Sequence, residues 1–209
     1  MVRIVVISDT HGWHEELGVL SGDVLIHCGD FEDLFARDAG MLDRADAWLA
    51  RQDFELILCT GGNHDRKLER RVRAWQQPLA NAFSLQDSGV EFGGLKFWGA
   101  PWVPMLDDHA FFADDDDLKA AWARIPEDVD VLITHTPPAG VLDRSSGEAS
   151  LGCPFLADAL PRVKPRLHCF GHVHAAAGWE DRNGTIFVNA TSIDTRRDVV
   201  NPPFVIDLE

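Results

Sequence analysis

The sequence predicts an α/β fold. Five short apolar runs rich in Val, Ile and Leu read as strands buried on both faces, at residues 4–7, 24–28, 56–59, 131–134 and 167–170. Helix-patterned segments lie between several of them, and alternating strands and helices indicate sheets covered by helices.

Between and beyond these runs, other segments carry their own signals. Residues 41–51 place Leu42, Ala45, Trp48 and Leu49 on one helical face. Residues 66–76 form a basic helical segment. VEFGGLKFWG predicts a hairpin turning at Gly93-Gly94, and GWEDRNGTIFVN one turning at Asn183-Gly184, a pair suited to a type I′ turn. The acidic run 114–117 precedes a helix expected at 118–124, where it suits the positive end of the helix dipole. Pro154 fits the first turn of a helix over 154–163. Residues 204–208 read as a terminal strand. At 209 residues, with no repeat and no linker, one domain over 1–209 is expected.

Composition narrows the function. The net charge of −15 repels polyphosphate backbones and argues against general nucleic-acid binding, which needs Lys and Arg to displace counterions. It leaves room for a small anion, because a metal centre reverses the local field. Residues 2–7 already read as a strand, so no signal peptide is expected, and no apolar stretch approaches the ~20 residues of a membrane span. Cys28, Cys59, Cys153 and Cys169 lie far apart, without the spacing of a disulfide framework or zinc cluster, and the three in or at the end of apolar runs, Cys28, Cys59 and Cys169, read as buried free thiols in a reducing cytoplasm.

The residues just after each buried run carry the chemistry. Asp9 and His11 come after the first, Asp30 after the second, Asn63, His64 and Asp65 after the third, His135 after the fourth, and His172 and His174 after the fifth. In parallel sheets the carboxyl ends of the strands converge on one edge, where ligands bind. Gly12, Gly29, Gly62 and Gly171 are expected to let the backbone turn beside these side chains. A mixture of imidazole, carboxylate and amide without thiolate suits borderline or hard divalent metals. The donors outnumber those of one closed structural site, and two ions sharing a carboxylate fit the number.

Asp9-x-His11, Gly29-Asp30, Gly62-Asn63-His64-Asp65, His135 and Gly171-His172-x-His174, in this order, resemble the calcineurin-like metallophosphoesterase family. WGAPWVP (98–104), THTPP (134–138) and VNPPFVIDL (200–208) resemble its small metallophosphoesterase-domain-containing branch. The resemblance implies a four-layer α/β/β/α sandwich with two mixed central sheets. It also implies that Asp9, His11, Asp30 and His174 bind one metal, and Asp30, Asn63, His135 and His172 the other. His64 would be the catalytic histidine and Asp65 its orienting partner. Manganese is the favoured metal, with iron, zinc or magnesium as alternatives. The Ser/Thr protein phosphatases of this superfamily carry an arginine soon after the Gly-Asp motif, and residues 31–35 have none.

Two adjacent divalent ions bind phosphate oxygens and generate a nucleophile between them. Neutral His and Asn ligands leave such a centre with net positive charge inside an acidic chain. The expected reaction is in-line attack by metal-bound hydroxide on a small phosphodiester such as a cyclic nucleotide, with His64 protonating the leaving group. A phosphomonoesterase, a nucleotide pyrophosphatase and a metal-containing interaction scaffold are the alternatives.

Several residues lie outside this pattern. His14 is read as a surface loop residue, with pocket lining as the alternative, and His27 and His168 as core residues. The loop carrying Asp107, His109, Phe111 and Phe112 is a candidate substrate contact. Trp13 and Trp102 are read as packing, with base stacking as the alternative. The cations of 66–73 are read as a solvated helix face.

Overall fold

The computed structural model describes residues 1–36, 38–196 and 198–209. The first sheet contains β1 (Val2–Ile7), β2 (Ser21–His27), β3 (Asp53–Cys59), the two-residue β4 (Phe83–Ser84) and β11 (Phe204–Leu208), in the order β11-β1-β2-β3-β4. The second contains β5 (Ser88–Phe92), β6 (Leu95–Ala100), β7 (Val131–Thr134), β8 (Leu167–Phe170), β9 (Gly178–Arg182) and β10 (Thr185–Asn189), in the order β5-β6-β7-β8-β10-β9. Strands β1, β2 and β3 are mutually parallel, as are β6, β7 and β8, while β11, β5 and β9 pair antiparallel at the edges. Both sheets are therefore mixed.

The strand pleat explains the layering. Alternate residues Val2, Ile4 and Val6 of β1, with Val24 and Ile26 of β2, face Phe97, Val131, Ile133, Leu167 and Cys169 of the other sheet in a core between the two sheets. Val5, Ile7 and Leu25 pack on the opposite side with Leu42, Ala45, Trp48 and Leu49 of helix α1 (Met41–Leu49) and Leu68 of α2 (Arg66–Arg73). Beyond the second sheet, Leu132 packs with Leu118 and Trp122 of α3 (Asp115–Ala123) and Leu156 and Val163 of α4 (Pro154–Val163). Helix, sheet, sheet and helix form the four expected layers.

Both hairpins turn where expected. Gly93 and Gly94 have φ of 59° and 82°, and Asn183 and Gly184 of 55° and 86°, matching the positive φ a type I′ turn requires at both central residues. Helix α3 starts three residues before its expected position, because Asp114 is its N-cap and accepts from the Asp116 and Asp117 amides at 3.1 and 2.9 Å. All four cysteines are buried free thiols. Among the described residues, no helix is long and apolar enough to cross a membrane.

Candidate metal centre

The parallel strands of both sheets end at one place. The seven residues expected as ligands come from loops after β1, β2, β3, β7 and β8, and backbone bonds tie these loops together. Asp9 N donates to Gly29 O at 2.9 Å, His11 N to Asp30 O at 3.0 Å, and Gly171 N to His135 O at 3.0 Å. The two sheets join here as well, since His172 N donates to the Asp9 carboxylate at 3.0 and 3.1 Å.

The donor atoms converge closely. Asn63 Oδ1 lies 2.9 Å from His135 Nε2 and 2.8 Å from His172 Nδ1. Asp30 Oδ2 lies 3.4 Å from His135 Nε2 and 3.7 Å from His11 Nε2, and Asp9 Oδ1 lies 3.4 Å from His174 Nε2. Donors sharing an ion at ~2.1 Å would be ~3.0 Å apart at a right angle and ~3.4 Å at the tetrahedral angle.

The far side of each ring fixes its proton. His11 Nδ1 is 2.9 Å from Glu32 O, and His135 Nδ1 is 2.8 Å from Cys28 O. A carbonyl oxygen only accepts, so both Nδ1 atoms carry hydrogen, and each ring in its neutral form turns its Nε2 lone pair to the cluster, the second-sphere arrangement typical of metal-bound histidine; without a cation, the His135 Nε2 carries a second proton toward Asn63 Oδ1. His11 Nε2 is buried without a hydrogen-bond partner. Among the described residues, three groups bring ligand atoms within 4.8 Å of one another: Asp9, His11 and His174; His11, Asp30 and His64; and Asp9, Asp30 and His135.

With no cation, protons must hold this cluster together. Burial lowers the His135 pKa, but the charge of Asp30 and its hydrogen bond outweigh this and raise it to about 9. Burial would raise Asp30, yet the His135 charge holds it well below the usual carboxylate range. Burial takes His172 down to about 3.

The backbone is strained where the ligands sit. Asp9, His11, Asp30 and His172 have φ of 52°, 43°, 60° and 71°, a region that residues with a Cβ seldom occupy. Gly12 and Gly29 turn with positive φ, as expected, whereas Gly62 and Gly171 do not. Their role is close approach. A Cβ on Gly62 would collide with Asp30 Oδ1 and lie 2.7 Å from His135 Cε1, and one on Gly171 would collide with Asp9 Oδ2.

Asp65 differs from expectation. Its Oδ2 accepts from Asp30 N at 2.8 Å and Gly62 N at 2.9 Å, and its Oδ1 from Glu32 N at 2.9 Å. These amides occupy the carboxylate expected to orient His64. Burial, with the charges of Asp30 and Glu32, pushes the Asp65 carboxyl well above the usual carboxylate range, against three donors that favour its ionised form. The Glu32 side chain reciprocates by accepting from Lys67 N and Leu68 N at 2.9 and 3.3 Å, which caps α2. The two loops thus latch each other.

The His64 ring is held by different groups. Leu34 N donates to His64 Nδ1 at 3.1 Å, and Asp33 Oδ1 lies 3.7 Å from the same atom. The neutral ring therefore carries its proton on Nε2. His64 N also donates to Asp30 Oδ1 at 2.8 Å. Sequence reasoning misses Asp33, although it stands three residues after Asp30 in the stretch that lacks an arginine.

The other singled-out residues separate clearly. His27 Nε2 meets Thr10 Oγ1, and His168 Nε2 meets Thr134 Oγ1, each at 3.0 Å; both rings are buried, and burial lowers both to about 3. His14 is buried beside Trp48 rather than exposed, because its ring covers the indole at 5.6 Å between centroids. Trp102 Nε1 donates to Asp87 at 3.0 Å, whereas Trp13 is half exposed. His109 lies 6.1 Å from the His64 ring. On α2, Lys67 and Arg71 pair with Asp43, and Arg73 with Glu69.

Residues 2–176 match the family model for calcineurin-like phosphoesterases. The chain belongs to this family. It is 34% identical to human metallophosphoesterase domain-containing protein 1 over 99% of this chain and 71% of that protein. It is 31% identical to a UPF0046 protein of Caenorhabditis elegans over 98% of this chain and 74% of the relative. Two solved structures share the fold. One crystal structure aligns with a TM-score of 0.64 at 14% identity, covering 100% of this chain and 99% of the other. GAP50, the anchor in the inner membrane complex of Plasmodium, aligns at 0.51 and 10% identity, covering 98% and 77%. Family membership implies phosphoric ester hydrolysis, and the donor clusters are candidate sites for the family's two divalent ions.

Proposed function

We propose that the chain is a phosphodiesterase dependent on two divalent metals, manganese favoured, and acting on a small diester such as a cyclic nucleotide in the cytoplasm. Residues 1–209 act as one domain, a reading supported by the core shared between the two sheets. The observation that carries the proposal is the pair of buried imidazoles, His11 and His135, whose Nδ1 atoms are fixed by carbonyls so that Nε2 lone pairs face carboxylates. Lone pairs facing carboxylates in a buried cluster call for a proton or a cation between them.

Asp9, His11, Asp30 and His174 would hold one ion, and Asp30, Asn63, His135 and His172 the other, with Asp30 shared. When bound, the ions polarise phosphoryl oxygens and lower the pKa of water. As general acid His64 would act in its doubly protonated form, with Nδ1–H turned to Asp33, and would pass the Nε2 proton to the departing oxygen, returning to the neutral ring. Leu34 N holds the neutral ring, and Asp65 positions the loops. The diester class rests on kinship with the small branch of the family.

The test is turnover by manganese-loaded protein of bis(p-nitrophenyl) phosphate, p-nitrophenyl phosphate, 2′,3′- and 3′,5′-cyclic nucleotides and single-stranded nucleic acid. Selective diester turnover is expected. His64→Ala should lower it by about 10²–10⁴ while keeping metal. Turnover of no ester at full metal occupancy would remove the enzyme reading.

A further inference from the structure

The basic helix α2 ends in an aromatic residue that stands almost wholly in solvent. Trp75 follows the C-cap Ala74 and is 98% exposed. Its backbone is left-handed, with φ of 54°. Trp75 N donates to Val72 O and Gln76 N to Arg71 O, each at 3.0 Å, the pair of bonds that closes a helix around a left-handed residue, usually glycine. A tryptophan at this position carries the strain of a Cβ and leaves its indole in water, so neither local conformation nor packing accounts for it. Around it the charge is the reverse of the chain's. Residues 66–76 hold five cations and the single acid Glu69, in a chain of net charge −15. Lys67 and Arg71 pair with Asp43, and Arg73 with Glu69. Arg70 Nε donates to Arg66 O at 3.2 Å, and among the described residues no carboxylate pairs with its guanidinium. A cleft of about 480 Å³ runs beside it, lined by Glu32, Lys67, Arg70, Arg71, Ala74 and Gln76 among others. The Glu32 carboxylate is occupied by the Lys67 and Leu68 amides.

We propose that Trp75 and the Arg70 cleft form a docking site for an acidic peptide segment of another protein, one that carries an apolar anchor between carboxylates. Charge complementarity selects this occupant. A carboxylate entering the cleft gives Arg70 an ion-pair partner, while an apolar side chain beside it covers the indole. Trp and Arg are the residues that dominate binding energy where a few contacts anchor an interface. An anionic membrane suits the patch less well. Three of its five cations already face Asp43 or Glu69, and the net charge of the chain is repelled by such a surface. The site uses no ligand of the metal centre, and it stands whichever ester the centre hydrolyses.

The experiment titrates the full chain into a fluorescein-labelled peptide of alternating Asp and Glu around a central Phe, read by anisotropy. Binding is expected at about 50 mM salt and should weaken at about 200 mM, because exposed charges are screened. Trp75→Gly should weaken it about thirtyfold, the loss typical of an anchoring residue, while raising Tm by about 2–4 °C through relief of the left-handed Cβ. Weaker binding by a more stable protein separates docking from misfolding. Arg70→Gln should weaken binding about tenfold. Replacing the central Phe of the peptide by Ser should weaken binding to the wild type and leave binding to Trp75→Gly unchanged. No binding of the peptide, or equal binding by wild type and Trp75→Gly, would overturn the proposal. A fall in Tm on Trp75→Gly would give the indole a structural role and overturn it as well. So would Trp75-dependent binding to phosphatidylserine vesicles or Trp75-dependent self-association in sedimentation, either of which assigns the patch a different occupant.

Discussion

Replacing Asp65 with Asn changes one atom in the joint between the Asp30 and His64 loops. The carboxylate accepts two amides on Oδ2 and one on Oδ1. An Asn keeps one oxygen, which best serves the two-donor side and leaves its NH2 facing the Glu32 N–H. Three amides donating to its two oxygens favour the ionised form of Asp65 over the burial that raises its pKa, and from that form one bond to a charged acceptor is lost, a donor faces a donor, and the other two bonds lose their charge assistance. At roughly 1.5–3 kcal/mol for a bond to a charged group, the net destabilisation is about 3 kcal/mol. For a chain this size that lowers Tm by roughly 6–12 °C. The damage should reach the metals, because the Glu32 carbonyl orients His11 and the Asp30 amide is one of the three. Manganese affinity should fall about 10–100-fold, the usual effect of losing a second-sphere contact. Thermal unfolding of metal-free protein and a calorimetric manganese titration measure the two effects. A Tm within about 1 °C of wild type, with unchanged affinity, would refute the reasoning. Asn mimics a protonated Asp65, so that result would mean the acid is already neutral.

Other perturbations test other parts of the structure. Gly62→Ala forces a methyl group against Asp30 and His135 and should cost about 1–3 kcal/mol with loss of metal, read by unfolding and metal analysis. The raised pKa of His135 makes metal-free stability depend on pH. Its contribution is fully present below about 6.5 and is lost as pH rises through about 9, so chemical denaturation of chelator-treated protein should show stability declining across that window. Metal binding near pH 7.5 should release a proton from the same ring, detectable as a binding enthalpy that varies with the buffer. Asp114→Ala removes the α3 N-cap and should cost about 1 kcal/mol, lowering Tm by about 2–4 °C without altering metal binding.

The most legible parts of the chain are those whose physics is local. The strands at 4–7, 24–28 and 131–134 lie between two covered faces, so nothing interrupts their apolar runs. Asn183-Gly184 specifies its own turn. The ligands are legible because parallel strands share one carboxyl edge, which makes distant residues neighbours once the strands are identified. The latch between Glu32 and Asp65 is not, because each carboxylate accepts backbone amides from the other loop and leaves no trace in residue spacing. His14 escapes a sequence reading because a polar residue carries no sign that an indole from α1 will cover it. Strand β4 is too short for any periodicity.

The left-handed conformations at Asp9, His11, Asp30 and His172 set stability against ligation at the same four positions. A left-handed residue with a Cβ costs about 1 kcal/mol or more, which glycine would relieve. A library of this chain selected for thermal tolerance alone should drift toward glycine only where the relieved strain exceeds the loss of the side chain's own partners, which disfavours the change at Asp9 and Asp30, whose carboxylates accept the His172 and His64 amides. One selected for metal retention should keep all four. The positions where the two libraries disagree would then point to the centre without any assay of catalysis.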